Sequence, residues 1–306
     1  VAIGSVAGNS DQKAGAVAIG LNAGQTTQAT NAVAIGTLAG NNNQKAGAVA
    51  IGNTAGQTTQ AADAVAIGTL AGSSDQKAGA IAIGLTAGQT TQAADAVAIG
   101  NTAGNNDQKA GAIAIGNTAG QTTQAANAVA IGSLAGNSDQ EAGAVAIGNT
   151  AGQVNQGVSA IAIGNGAATL GTFGQGANAI AIGTAAGTGN GAAVGQGAGA
   201  VAIGNTAGQK NQSAGAVAIG DGAGTGSAFS QGVNSIAIGT GAGTGAGMTN
   251  GQGNSAIAIG NTAGGIDQKG FAVAIGEAAG NNNQGTQAVA IGISSGSIDQ
   301  GSSAIA

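Results

Sequence analysis

The chain has no proline, cysteine, histidine, tryptophan, tyrosine or arginine among its 306 residues. Each absence excludes something. Without cysteine there is no disulfide stapling, and without histidine or cysteine the usual nucleophile–base pairs and zinc sites are missing. Three phenylalanines and one methionine are the only large apolar side chains beyond valine, isoleucine and leucine. That is too few for the leucine- and aromatic-rich core of a globular enzyme. Six lysines stand against eleven acidic residues, a net charge of −5, with no basic cluster. Nucleic-acid binding through phosphate neutralisation is therefore not expected. The longest apolar pieces are of the AVAI kind, far short of the roughly 18 residues of a membrane span.

What is there instead is glycine, 63 of them, and one short phrase written again and again. The glycine closing each [VI]AIG falls at 4, 20, 36, 52, 68, 84, 100, 116, 132, 148 and 164, in steps of 16. It then recurs at 183, 204, 220, 239, 260, 276 and 292, where intervals of 19, 21 and 16 form a super-repeat of 56. Within the regular part, coils with QTTQ alternate with coils carrying NSDQK-like text, a period of 32 residues. The organisation reads as regular repeats over 1–164, repeats with longer loops over 165–276 and regular repeats again over 277–306. The chain opens and closes in mid-phrase, at Val1 and Ala306, and is expected to be a segment of a longer polymer.

A glutamine stands eight residues before the [VI]AIG glycine in every coil where both are present, from Gln12 to Gln284. The longer coils keep this offset, so each insertion lies between [VI]AIG and glutamine. A fixed spacing of this kind marks a structural register. AVAIG alternates Ala48, Val49, Ala50 and Ile51, both sets apolar, the pattern of a strand buried on two sides. Recurrent glycine and β-branched residues, with no 3.6-residue period, argue against helix. Sixteen residues accommodate two short strands and two turns, with Gly52 and Gly56 bracketing the first turn.

Stacked at about 4.8 Å, such coils make an all-β parallel β-solenoid or β-roll; about nineteen of them would span on the order of 90 Å. The stacked glutamines Gln12, Gln28, Gln44, Gln60, Gln76, Gln92, Gln108 and Gln124 are expected to form a hydrogen-bonded amide ladder. Lys13, Lys45, Lys77 and Lys109 recur every second coil, a spacing of about 9.6 Å that moderates their repulsion on a solvated edge. One Val, one Ile and several Ala per coil are too few to offset the ordering of sixteen residues. Further burial between chains is therefore expected, with the smooth alanine face against identical strands around an axis. The partner so implied is the chain itself, a homo-oligomer and by preference a homotrimeric rod.

The unit [AS]-[VI]-A-I-G-x-x-A, as in Ala16–Ala23, Ala48–Ala55, Ala112–Ala119 and Ser235–Ala242, resembles the head repeats of the YadA-like trimeric autotransporter adhesins. The resemblance extends over the whole chain, although repeats of that family are typically shorter than sixteen residues. It implies a left-handed parallel β-roll, three chains wide, with the AIG strand lining the trimer interior. It further implies an extracellular, cell-surface adhesin-type fibre that displays an element for a host-surface or matrix ligand. The same brick would serve a phage or virus fibre on a virion surface.

Other candidates are weaker. The sequence implies no enzyme, metal site or cofactor. Asp139 and Glu141 are the one close acidic pair and are expected on a solvated turn. GDGAGTG at 220–226 lacks the GK[ST] of a phosphate loop, and Asn211-Gln212-Ser213 is a lone sequon. The pairs Thr26-Thr27, Thr58-Thr59, Thr90-Thr91 and Thr122-Thr123 suggest an ice-binding array, but adjacent side chains on a strand point to opposite faces. The longer loops, at 165–174, 184–195, 221–230 and 240–251, carry Phe173, Phe229 and Met248, possible anchors for a ligand.

Overall fold

A computed structural model describes residues 1–169, 174–189, 195–226, 231–245 and 251–306. Phe173, Phe229 and Met248 lie outside the described residues. The chain forms two compact units, Val1–Gly143 and Ala144–Ala306. Each is a parallel β-solenoid, and no helix occurs among the described residues.

In the first unit every coil contributes a strand at its VAI or IAI, such as Val49–Ile51, and a shorter one ending at its glutamine, such as Thr59–Gln60. Equivalent strands pair in parallel and in register, Val33 with Val49 and Val49 with Val65, Gln44 with Gln60 and Gln60 with Gln76. In the second unit the VAI sheet keeps its register through the longer coils, Ile161 pairing with Ile180 and Ile180 with Val201. The glutamine side there has the strand Val154–Gln156 and beyond it single bridges, such as Gln156 to Gln175 and Gln212 to Gln231.

The two faces of the VAI strand are not equivalent, which corrects the expected packing. Ala48, Ala50 and Ala55 have no exposed surface, and neither have their counterparts in neighbouring coils. Val49 and Ile51 are only half-buried. The alanines thus face the interior of their own coil, opposite the glutamine, instead of forming an interface between chains. The physical reason is width. A Cβ on Gly56 would already lie 3.3 Å from the Ala50 methyl, so a coil this thin has no room for a branched side chain inside. The branched residues therefore go out.

The first turn depends on left-handed backbone. Gly52 and Gly56 have φ of 133° and 52°, and Thr54 between them has φ of 54°. Positive φ at a β-branched residue is an outlier that only the surrounding ladder can hold in place. Here Thr54 N donates to Thr37 O at 2.8 Å and Gly56 N to Ala71 O at 2.9 Å.

The 32-residue period has a structural cause at the second turn. The position three residues after each glutamine has positive φ and alternates between Gly and Asn or Asp: Gly15, Asn31, Gly47, Asp63, Gly79, Asp95. The side-chain oxygen of Asp63 occupies the place a Cβ on Gly47 would take, and Asn31 stands likewise over Gly15. Gly, Asn and Asp tolerate the left-handed region this turn requires, and in the second unit Ser159, Ser255, Phe271 and Gln287 adopt it as well. In the first unit a side chain on one coil thus stands where the coil before has none, matching the 32-residue period. In the second unit Asn234, Ser255, Phe271 and Gln287 follow one another at this position and the alternation is lost.

Candidate functional site

With the alanines inside, the features able to act are the buried glutamine column, the outer face of the VAI sheet and the outer face of the glutamine sheet. The glutamines stand on the second strand and project inward across the coil. From Gln28 to Gln124 each is fully buried, and Gln12 is half-buried. Gln60 Nε2 donates to Gln76 Oε1 at 3.2 Å, to Val49 O at 2.7 Å and to Ala64 O at 3.0 Å. Gln28, Gln44, Gln76, Gln92 and Gln108 repeat this set, and Gln12 bonds Gln28 at 3.0 Å. In the second unit the row continues over unequal coils, Gln156 to Gln175 at 3.2 Å and Gln175 to Gln196 at 3.0 Å. Each amide ties its strand to the facing sheet as well as to the next coil, so the column stitches the solenoid in two directions. An unsatisfied amide in this place would cost about 1–3 kcal/mol.

A second amide row lies near the first turn and escaped the sequence reading. Asn41 Nδ2 donates to Gln25 Oε1 at 3.0 Å and to Asn22 O at 2.9 Å. Asn105 does the same with Gln89 and Thr86 O, and Asn137 with Gln121 and Thr118 O. The alternation of Asn and Gln five residues after the [VI]AIG glycine was its visible signal.

The backbone before the glutamine takes two geometries. Thr27, before its glutamine, donates its N–H to Asn42 O of the following coil, whereas Asn283 donates to Ile266 O of the preceding one. The residues with the second geometry, Asp139, Asn155, Asp267, Asn283 and Asp299, have φ between 48° and 57°. They are Asn and Asp, which adopt the left-handed region, but the residue type alone does not decide, since Asp11, Asp75 and Asp107 lack positive φ and NSDQ occurs both at 9–12 and at 137–140.

On the outer face of the glutamine sheet Asp and Lys flank the buried glutamine. Lys13 Nζ lies 2.8 Å from Asp11 Oδ1, and Lys77 and Lys109 lie 3.0 Å from Asp75 and Asp107. Asp139 and Glu141 also flank a buried glutamine, Gln140, though Asp139 has the left-handed backbone that Asp11 lacks; the pair is not on a turn, since Asp139 is on the strand Ser138–Gln140 and Glu141 follows it directly, both exposed. Thr59 faces outward on its strand and Thr58, just before the strand begins, is exposed. Both threonines therefore reach solvent, because the strand is too short for its alternation to extend back to Thr58. Their columns are interrupted at every second coil by Asn43, Asp75 and Asp107. Among the described residues no three Asp or Glu side chains gather into a metal-holding group, and no helix is long and apolar enough to cross a membrane.

The outer face of the VAI sheet is a double column of Val and Ile repeated at every coil. Ile147, Ile203 and Ile275 retain 36, 36 and 37 % of their surface exposed. Its margin is mostly polar, with Asn149 Nδ2 facing Asn165 Oδ1 at 3.4 Å and Asn205 Nδ2 bonding Asp221 Oδ1 at 3.0 Å, while Leu21, Leu85 and Ile293 are exposed in the same column. An apolar stripe with a polar rim is the anatomy of a protein interface. Comparison with protein-family models and with curated proteins finds no match to this chain.

Proposed function

We propose that the chain is a non-enzymatic structural fibre of the YadA-like adhesin type, in which three copies associate through their Val/Ile faces. On this reading the fibre projects from a cell surface and displays a binding element for a host-surface or matrix ligand. The observation that carries the proposal is the inverted placement of apolar residues. The coil interior holds alanine and glutamine, while the branched aliphatic residues of the repeat stand on one outer face. Burying a Val or Ile completely contributes about 1.5–3 kcal/mol, so covering the last third of one isoleucine contributes about 0.5–1 kcal/mol. For Ile147, Ile203 and Ile275 together that is roughly 1.5–3 kcal/mol, and the less exposed isoleucines of the second unit add smaller amounts. The valine column and the first unit add to this gain. The cost to be offset is the roughly 4–15 kcal/mol of association.

The resemblance of [AS]-[VI]-A-I-G-x-x-A to the adhesin head repeat supports the same face, since that family lines its trimer interior with the AIG strand. Two experiments test the reading. Placing lysine at Ile83, Ile99 and Ile115 should yield a monomer with the β-sheet circular dichroism of the parent; an unchanged assembly would remove the Val/Ile face from the proposal. Antibody against the purified chain should label intact source cells, and labelling only after permeabilisation would contradict surface display.

A further inference from the structure

The opposite side of the coil, the outer face of the glutamine sheet in the unit Val1–Gly143, carries a second and independent pattern. Asp11, Asp75 and Asp107 form one column, and Lys13, Lys77 and Lys109 form another two residues further along the strand. Lys45 continues the lysine column beside Asn43. The charged side chains keep between 39 and 57 % of their surface exposed. Between these coils lie flatter ones presenting Thr27 with Ala29, Thr59 with Ala61 and Thr91 with Ala93, all half-buried. Over Asp11–Lys109 the face is thus a flat parallel sheet whose charges are segregated by sign into two columns at every second coil, with Asn43 in the aspartate column; the last such coil of the unit, with Asp139 and Glu141, is acidic in both columns and lies outside the pattern.

Such a face is complementary to itself in one orientation only. A two-fold axis parallel to the stacking direction exchanges left and right, setting each lysine column over the aspartate column of a second copy. A two-fold axis across the stack leaves left and right unchanged and opposes aspartate to aspartate. In the first arrangement the two-coil period brings every charged coil against a charged coil. Asp11 and Lys13 of one chain then close a four-membered ring of alternating charge with those of the other, within the roughly 10 Å that separates packed sheets. The recessed Thr/Ala coils between the rings give the long lysine side chains room to spread. We infer that this face is a lateral docking surface for a second copy of the chain, in parallel orientation, joining fibres side by side through charge rather than through apolar burial. It goes beyond the Val/Ile assembly and does not depend on it.

The test uses the full chain in sedimentation velocity at 50 and 500 mM NaCl. Exposed charges attract across about 14 Å at the lower salt and across only about 4 Å at the higher. A larger species should appear at 50 mM and weaken about tenfold or more at 500 mM, whereas association through the Val/Ile face is insensitive to salt. The decisive variant exchanges the columns: Asp11→Lys, Lys13→Asp, Asn43→Lys, Lys45→Asp, Asp75→Lys, Lys77→Asp, Asp107→Lys and Lys109→Asp. It should associate with itself in parallel as the parent does, and with the parent only in antiparallel orientation, read at low salt as energy transfer between labels at the N-terminal ends that is present in each self-association and absent from the mixed pair. A second variant, with Lys13, Lys45, Lys77 and Lys109 each replaced by Gln, should fold and lose the salt-dependent species. No salt-dependent species in the parent, energy transfer between N-terminal labels in the mixed pair of parent and exchanged variant, or retention by the glutamine variant would each overturn the inference.

Discussion

Replacing Gln76 by Glu changes one atom of the ladder and should open it. Gln76 Nε2 donates to Val65 O at 2.7 Å, Ala80 O at 3.0 Å and Gln92 Oε1 at 3.1 Å, and Gln76 Oε1 accepts from Gln60 Nε2 at 3.2 Å. An ionised glutamate keeps the last of these contacts and points its second oxygen at three acceptors. A protonated one restores a single donor. The folded state therefore holds the proton, and the pKa of Glu at position 76 rises above the unfolded value of about 4.3. The sign follows from linkage. The folded state binds more protons, so stability is fullest below about pH 4.3 and falls by about 1.4 kcal/mol per unit until the folded value is passed. Even when protonated, the variant leaves two acceptors without their donor, at roughly 1–3 kcal/mol for a buried orphan such as Gln92 Oε1. The total at pH 7 is on the order of 4 kcal/mol or more. In a stacked solenoid the loss falls on neighbouring coils first, because each coil contacts only those beside it. Hydrogen-exchange mass spectrometry over residues 60–92, referenced to the parent protein at each pH, reads it directly. Parent-like protection at pH 7, or a variant whose protection relative to the parent does not change between pH 4 and pH 7, would refute a ladder that depends on donors.

The remaining predictions concern the turns, the interior and the ion pairs. Gly47→Ala should destabilise by about 1–3 kcal/mol, because φ of 68° and the Asp63 carboxylate both oppose a Cβ. Denaturant unfolding should show part of this cost relieved in an Asp63→Gly background, and strict additivity would contradict the account of the 32-residue period. Ala50→Val should cost about 1–3 kcal/mol through overpacking, while Val49→Ala should cost the isolated coil less than about 1 kcal/mol. Equal effects would undo the assignment of inner and outer faces. Asp75→Asn should alter unfolding free energy by less than about 1 kcal/mol, since both partners of the Lys77 pair are substantially exposed.

Much of the solenoid was legible because each coil repeats its neighbour. The spacing of 16, the constant glutamine offset and the location of insertions all follow from counting, and parallel pairing such as Val49 with Val65 is what such a period requires. The direction of the VAI strand was not legible. AVAIG is apolar on both faces, so alternation alone gives no sign to the alanines, and the deciding quantity was the width of the coil between Ala50 and Gly56. The left-handed second turn was written in the alternation of Gly15, Asn31, Gly47 and Asp63, but its meaning needed the contact between one coil and the next. The exposed strand position of Asp139 likewise became readable only once Gln140 was seen to point inward.

The central claim is that the Val/Ile face is an interface among copies of this chain. Sedimentation equilibrium of the full chain at 500 mM NaCl, where ionic contacts between fibres are screened, tests it most directly. One chain weighs 27.6 kDa. The account predicts a species three times that mass which persists at high salt, and a mass of 27.6 kDa at micromolar concentration would contradict it.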